Sequence, residues 1–336
     1  MKSIVIADTH FVKVEDLQIL EEVGFIAREF ADGTAPPEVL FLGDVFDTPR
    51  PSGETFVKFF EWLGSFTRDG GRVTIIVGNH DVSVNSSLLS VADHLENVRV
   101  VVGTTFFEDY DCDVNYLLVP WQPGGLGISK ETLKSIEKSK NDTFVLGHIR
   151  LSGAKTASGF MLEAGESLPT SSKIVGGLLG DIHSPQKVGK FSYVGSARST
   201  SFDERHVARV VALDGKKTIP KALLGASKSY TLEFFGKKGR RLLHIFLNEA
   251  KPNAIRGNRF RIRLDFSNED GFDDTVLRKT FKEARDLILE KPSFRLDESV
   301  KNRVLGEHPS VASFVKELAQ KSDRKRLLAI AKRIGL

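Results

Sequence analysis

Five apolar runs in this chain end in the same way. Ile4-Val5-Ile6 leads into Asp8-Thr9-His10, and Val39-Leu40-Phe41-Leu42 into Gly43-Asp44, with Asp47 three residues on. Arg72-Val73-Thr74-Ile75-Ile76-Val77 leads into Gly78-Asn79-His80-Asp81. Thr143-Phe144-Val145-Leu146 leads into Gly147-His148, and the run from Ile174 to Leu179 into Gly180-Asp181-Ile182-His183. Short β-branched and aliphatic runs of this kind read as buried strands. Ligands of open α/β sheets bind just beyond the carboxyl ends of strands. One such ending is as well explained by a polar turn, because Asn and Asp favour turns and caps. Five endings, each supplying a residue able to ligate a metal, are more than packing asks for.

The residue types at Gly78-Asn79-His80-Asp81 suit a particular chemistry. Asn offers a neutral carbonyl oxygen to a metal, His can protonate a leaving oxygen, and Asp can hold that His in one orientation. The ordered set D-x-H, G-D-x-x-D, G-N-H-D, G-H and G-x-x-H resembles the calcineurin-like metallophosphoesterases. Gly43-Asp44-Val45-Phe46-Asp47, Val119-Pro120-Trp121, the Gly-His elements and Tyr193-Val194-Gly195-Ser196 look like those of the SbcD-type recombination and repair nucleases. Among these the compact phage members are closest in length. The motifs cover about residues 1–214, and the remainder resembles the family only in layout.

The resemblance implies a layered α/β sandwich with sheets flanked by helices, a smaller α+β capping domain and a helical C-terminal tail. It also implies metal-dependent cleavage of DNA, exonucleolytic or on single strands. Phosphoester hydrolysis needs a strong nucleophile, neutralisation of phosphate charge and a proton for the leaving oxygen. Two divalent ions about 4 Å apart supply the first two. A two-oxygen carboxylate can bridge them, and Asp44 is the natural bridge. By resemblance, Asp8, His10 and His183 complete the first ion's shell, and Asn79, His148 and Asp181 the second's. His80, paired with Asp81, is expected to be the general acid or a transition-state stabiliser. The mixed nitrogen and oxygen shell suits Mn²⁺, with Mg²⁺, Fe²⁺ and Zn²⁺ as alternatives.

One position departs from the family, whose last motif is usually Gly-His-x-His. Asp181 stands where the first His would be. It is a harder, anionic ligand that should favour Mn²⁺ or Mg²⁺, or else leave the second ion weakly held. Asp47 is expected as an outer hydrogen-bond acceptor, Arg198 as a phosphate contact, Trp121 as a packed loop anchor, and His206 on the surface.

The 336 residues are enough for two domains, or for one with an appendage. A single cysteine, Cys112, rules out an internal disulfide framework. Asp111 and Asp113 beside it would raise its pKa, which argues against a nucleophile. No apolar stretch approaches the roughly 20 residues of a membrane span, and a chain that enters a strand at once is expected to lack a signal peptide. A bacterial cytoplasm, or a host cytoplasm for a phage protein, is the expected location.

Residues 215–336 hold 28 of the 48 Lys and Arg but only 15 of the 44 Asp and Glu. The first 214 residues are therefore net acidic and the rest strongly basic, a division that suits a polyanionic partner such as DNA. The expected domains are 1–215 (nuclease), 216–296 (capping and DNA-binding) and 297–336 (tail). In the first, helical stretches over Val14–Phe30, Glu54–Phe66 and Ser129–Lys138 alternate with strands, and Val207–Leu213 reads as the last strand. In the second, Ser229–Phe235, Leu242–Leu247 and Arg259–Phe266 read as strands and Asp273–Glu290 as a helix. In the tail, Leu327, Leu328, Ala331 and Ile334 form an apolar stripe at helical spacing with basic neighbours. By the family layout it docks an SbcC-type ABC ATPase, and the family also implies a homodimer. Two other function classes stay open: a small-substrate phosphatase or phosphodiesterase, and a metal-poor scaffold that holds DNA or a partner. Asp181 is the one feature favouring the scaffold.

Overall fold

The computed structural model describes residues 2–33, 35–83, 86–108, 113–202, 204, 206–235, 239, 242–244, 246–247, 258–264 and 274–290. The 297–336 tail and Cys112 lie outside the described residues. The chain divides into two compact units, Met1–Ala226 and Ser227–Leu336.

The first unit is built on two six-stranded sheets. In one, β1 (Lys2–Ile6), β2 (Glu38–Leu42), β3 (Arg72–Ile76) and β6 (Val98–Val101) run parallel. On its other side β13 (Arg209–Asp214) and β14 (Lys217–Ala222) are added antiparallel, giving the order β14-β13-β1-β2-β3-β6. The strands β4 (Val82–Ser83) and β5 (Ser86–Ser87) form a separate small ladder. In the second large sheet, β8 (Val114–Val119), β9 (Asp142–His148), β10 (Ile174–Gly180) and β12 (Phe191–Tyr193) run parallel. The antiparallel strands β7 (Thr105–Phe107) and β11 (Gln186–Val188) close its two edges.

Side-chain alternation along these strands builds the layers. Val5, Leu40, Leu42 and Ile76 from the first sheet share one core with Tyr116, Leu118, Phe144 and Leu146 from the second. Ile4, Ile6, Val39, Phe41 and Ile75 point the other way, onto α1 (Ile19–Ala31) and α2 (Gly53–Arg68). Leu117, Val119 and Val145 form the outer core of the second sheet with Ile136 of α3 (Lys130–Lys138). Such continuously apolar strands are what a sheet buried on both faces requires. The mixed sheets flanked by helices match the expected sandwich. The boundary between units falls at 226/227 rather than 215/216, because Lys217–Ala222 completes a hairpin with β13 through the turn at Gly215.

In the second unit, β15 (Ser229–Phe234), β16 (Arg259–Leu264) and β17 (Asp286–Glu290) form a parallel sheet. Phe260, Ile262 and Leu264 face a core with Leu232, Leu277 and Phe281. The alternate residues are arginines paired across the sheet: Arg259 with Asp286, Arg261 with Glu290, and Arg263 with Glu233 and Glu290. Two expectations are corrected here. The stretch 273–290 is not one helix: the helix is Asp274–Thr280, and Asp286–Glu290 is a strand. Leu287, Ile288 and Leu289 fit either period, and the cross-strand charge pairs with β16 decide for the sheet. Residues 242–244 and 246–247 are helical rather than extended. The spacing of Leu242, Leu243, Phe246 and Leu247 is that of a helix face.

Candidate metal centre

The strand ends of both sheets in the first unit deliver their polar residues to one place. The segment after β1 lies alongside the segment after β2: Asp8 N–H donates to Gly43 O, His10 N–H to Asp44 O and Phe11 N–H to Val45 O. Asp8, His10, Asp44 and Asp181 all have left-handed backbones, with φ of 50°, 43°, 50° and 87°. Non-glycine residues seldom adopt this conformation, and it concentrates at functional sites. The glycines of the motifs are there for close approach. A Cβ on Gly78 would lie 2.2 Å from Asp44 N and Oδ1, one on Gly43 2.2 Å from His148 Nδ1, and one on Gly180 2.2 Å from Leu42 O.

Three overlapping groups could each hold a cation: Asp8, His10 and His183; His10, Asp44 and His80; Asp8, Asp44 and His148. Within each group, one ligand atom per residue lies within 4.8 Å of the others. His148 Nδ1–H donates to Leu42 O at 2.8 Å, which turns Nε2 toward Asn79 Oδ1 at 2.9 Å and Asp44 Oδ1 at 3.4 Å. Ligands around one small divalent ion at 2.0–2.1 Å stand about 3 Å apart. His10 Nε2 and His183 Nε2 face each other at 3.1 Å, with Asp44 Oδ2 3.5 Å from the former. Asp8 Oδ1 accepts from Asp181 N–H at 2.9 Å, and Asp8 Oδ2 is buried with no hydrogen-bond partner. A buried carboxylate oxygen without a proton donor is the condition that a cation relieves.

The titration behaviour agrees. Burial raises the Asp8 pKa despite His148 and His183 nearby. Burial also opposes the Asp44 charge, yet His148 and His10 hold its carboxyl well below the usual range. Burial alone would lower the His148 pKa, but Asp44, then Asp8 and Asp181, push it up to about 10. The same negative charges that favour a proton on His148 would favour a cation, and metal binding would compete with that proton. Taken together, the orphaned Asp8 oxygen, the glycine-lined approach and the donor set fit divalent ions.

Several residues stand differently from what the motifs suggested. Asp81 does not pair with His80. Its carboxylate accepts from the N–H groups of Gly78, Val45 and Phe46 at 3.0, 3.2 and 3.1 Å, bracing the segment after β3 against the segment after β2. Burial and then the Asp44 charge push Asp81 up to about 7. His80 is instead held by Asp47, whose carbonyl accepts from Nδ1–H at 2.7 Å. The Asp47 carboxylate lies 3.2 Å from His10 Nδ1, as an outer partner would.

Arg198, expected to touch a phosphate, is buried. Its guanidinium donates to the carbonyls of Thr9 and His10, satisfying the left-handed turn from behind. Asp181 is brought near the centre, with Oδ1 3.8 Å from His148 Nε2. Both of its oxygens, however, accept from Arg150, from Nε at 2.7 Å and Nη2 at 2.8 Å.

Glu204 was not legible from the motifs. Its Oε1 accepts from His183 Nδ1–H at 2.6 Å, while Oε2 accepts from Thr200 N–H at 2.8 Å and Ser196 Oγ at 3.1 Å. Burial works against the Glu204 charge, but His183 and Thr200 bring it down to about 2. Burial works against the charged His183 ring, but Glu204, Asp8 and Asp44 together raise its pKa. A carboxylate behind a ligating imidazole fixes the ring and strengthens its basicity. The only signal was an acidic residue in a polar loop after Gly195-Ser196. His206, expected on the surface, is half-buried with Nε2 3.1 Å from Ser196 Oγ.

Carboxylates able to bridge, imidazoles anchored through their far nitrogens, and a more exposed imidazole at the rim occur together in metal-dependent hydrolases of phosphoesters. The profile of the calcineurin-like phosphoesterase family matches residues 1–172, over half of the chain. The chain belongs to that family, whose members bind divalent metals and hydrolyse phosphoester bonds. No curated protein matches it. No helix among the described residues is long and apolar enough to cross a membrane.

Proposed function

We propose that the protein is a metal-dependent DNA nuclease, the nuclease subunit of an SbcCD-type complex. The observation carrying the hydrolytic part is the convergence of Asp8, His10, Asp44, His148 and His183 beside His80. Asp8, His10, Asp44 and His183 would hold one ion, and Asp44, Asn79 and His148 a second. When bound, such ions neutralise phosphate charge and supply a nucleophile from water. His80 is the one of these imidazoles that is exposed. With Nδ1–H anchored on Asp47 O, the doubly protonated ring would hand its Nε2 proton to the leaving oxygen. The mixed ligand set favours Mn²⁺ over softer-site metals.

The preference for DNA rests on the charge division. The acidic half carries the centre, and the sequence of the basic half shows no motif with evident chemistry of its own. The 297–336 tail is the proposed dock for an SbcC-type ATPase, and the working unit is a homodimer.

Labelled linear duplex, single-stranded DNA and a chromogenic phosphodiester, each with Mn²⁺ or Mg²⁺, test the reading. Metal-dependent DNA cleavage, abolished by chelator, is expected. Turnover of the chromogenic substrate with no DNA cleavage would make the protein a small-substrate phosphodiesterase. Truncation before Asp323 should abolish co-purification with the ATPase and leave cleavage of short DNA intact. Normal ATPase binding by the truncated protein would place the dock elsewhere.

A further inference from the structure

The Arg150–Asp181 pair joins a buried acceptor to a donor that reaches solvent. The Asp181 side chain is 6% exposed and that of Arg150 is 55% exposed. The contact is bidentate, the strongest form of such a pair. It uses two of the five guanidinium N–H groups, and the other three make no hydrogen bond among the described residues. Around His148 Nε2, Asn79 Oδ1 at 2.9 Å and Asp44 Oδ1 at 3.4 Å are closer than Asp181 Oδ1 at 3.8 Å. Asp181 is absent from every cation-competent group among the described residues. Its backbone is fixed by the N–H donated to Asp8 Oδ1, so only its side chain and that of Arg150 need to move for Asp181 to join the cluster.

We infer that Arg150 is a phosphate-released clasp on Asp181, so that the ion held by Asp44, Asn79 and His148 binds tightly only when phosphate is present. The inference rests on the two-ion reading above. With the guanidinium in place, the charge of Asp181 is neutralised and both its oxygens are engaged, which weakens that ion position. A phosphate offers Arg150 an equivalent two-oxygen acceptor. When Arg150 turns to it, Asp181 is freed as an anionic oxygen ligand. Binding linkage makes the effect reciprocal: phosphate tightens the second ion and the second ion tightens phosphate. The other position, with Asp8, His10, Asp44 and His183, takes no ligand from Asp181.

Equilibrium dialysis against Mn²⁺, with and without inorganic phosphate, reads this without measuring activity. Wild-type protein should hold one ion tightly, and phosphate should tighten a second by about tenfold, within the usual range of such couplings. Arg150→Gln, at the surface and away from the core, should hold the second ion tightly without phosphate and lose the phosphate response. Asp181→Asn should keep the first ion and never tighten the second. Two equally tight ions in wild-type protein without phosphate would overturn the clasp and leave the metallohydrolase reading standing. So would an Arg150→Gln protein with wild-type stoichiometry and response. Failure of wild-type protein to bind any Mn²⁺ would sink the two-ion reading itself.

Discussion

Glu204→Gln tests whether the carboxylate behind His183 acts on metal binding or only on the loop. The amide can still accept from His183 Nδ1–H through its oxygen. Its NH₂ would then face Thr200 N–H and Ser196 Oγ, which now donate to Oε2 at 2.8 and 3.1 Å. Turning the amide over serves Thr200 and abandons His183. The charge that raises the His183 pKa is lost in either orientation. Loss of such an outer partner typically weakens metal affinity by 10–100-fold. At a free ion concentration of about 100 times the wild-type Kd, metal stabilises the native protein by about 2.7 kcal/mol. A tenfold weaker site leaves about 1.4 kcal/mol, and a hundredfold weaker site about 0.4 kcal/mol. For a unit of this size 1 kcal/mol corresponds to about 2–4 °C. The rise in Tm on adding Mn²⁺ should therefore fall from about 5–11 °C to about 1–6 °C. Scanning calorimetry with and without ion separates this from any loss in the metal-free protein. A variant whose metal-free Tm drops while the metal-induced rise stays full would make Glu204 a loop clamp and nothing more.

Three further outcomes are expected. His80→Ala should keep its metal content and lose about 10²–10⁴-fold in hydrolysis; a parallel fall in bound metal by elemental analysis would make the ring a ligand. Gly78→Ala is a purely steric test, because φ is −98° and the added methyl would stand 2.2 Å from Asp44 N and Oδ1. It should cost about 1–3 kcal/mol in stability and weaken metal binding, and a wild-type melting curve would show that the segments yield. Glu38, buried at the end of β2 with Ser3 Oγ donating to it at 3.0 Å, has its pKa raised by burial. The stability this group allows is full below its unfolded pKa of about 4.3 and is lost as pH rises through the raised folded value. Glu38→Gln should therefore melt higher than wild type at pH 7 and equally at pH 4; equal Tm at both would mean that Ser3 and Arg72 compensate the burial.

The sandwich was legible because apolar runs and the residues ending them repeat in sequence. The ligand candidates were legible for the same reason: a Gly before Asp44, Asn79, His148 or Asp181 marks a strand stopping where backbones nearly touch. Their outer partners were harder to see. Asp81 follows His80 directly and invites a pairing, but the turn aims its carboxylate back at three backbone N–H groups, and a carbonyl, which has no sequence signature, holds His80. Arg150 and Asp181 are 31 residues apart, just beyond the ends of neighbouring strands, and Glu204 reaches His183 over a loop. Neither contact has a periodic pattern. In the second unit, Asp286–Glu290 fits two periods, and partners on β16 decide between them.

The centre joins His10 to His183, two residues separated by 173 positions and carried by the segments that follow strands of different sheets. A chain in which β1 has formed and β10 has not offers an ion only fragments of a site. Contacts across such a separation are closed late, because the loop entropy must be overcome first. Interactions absent from the folding transition state act on the unfolding rate and leave the folding rate almost unchanged. Bound metal should thus slow the escape of the native protein and leave the rate of its formation alone. Chelation would then shorten the lifetime of the fold long before it altered how quickly a new chain reaches it.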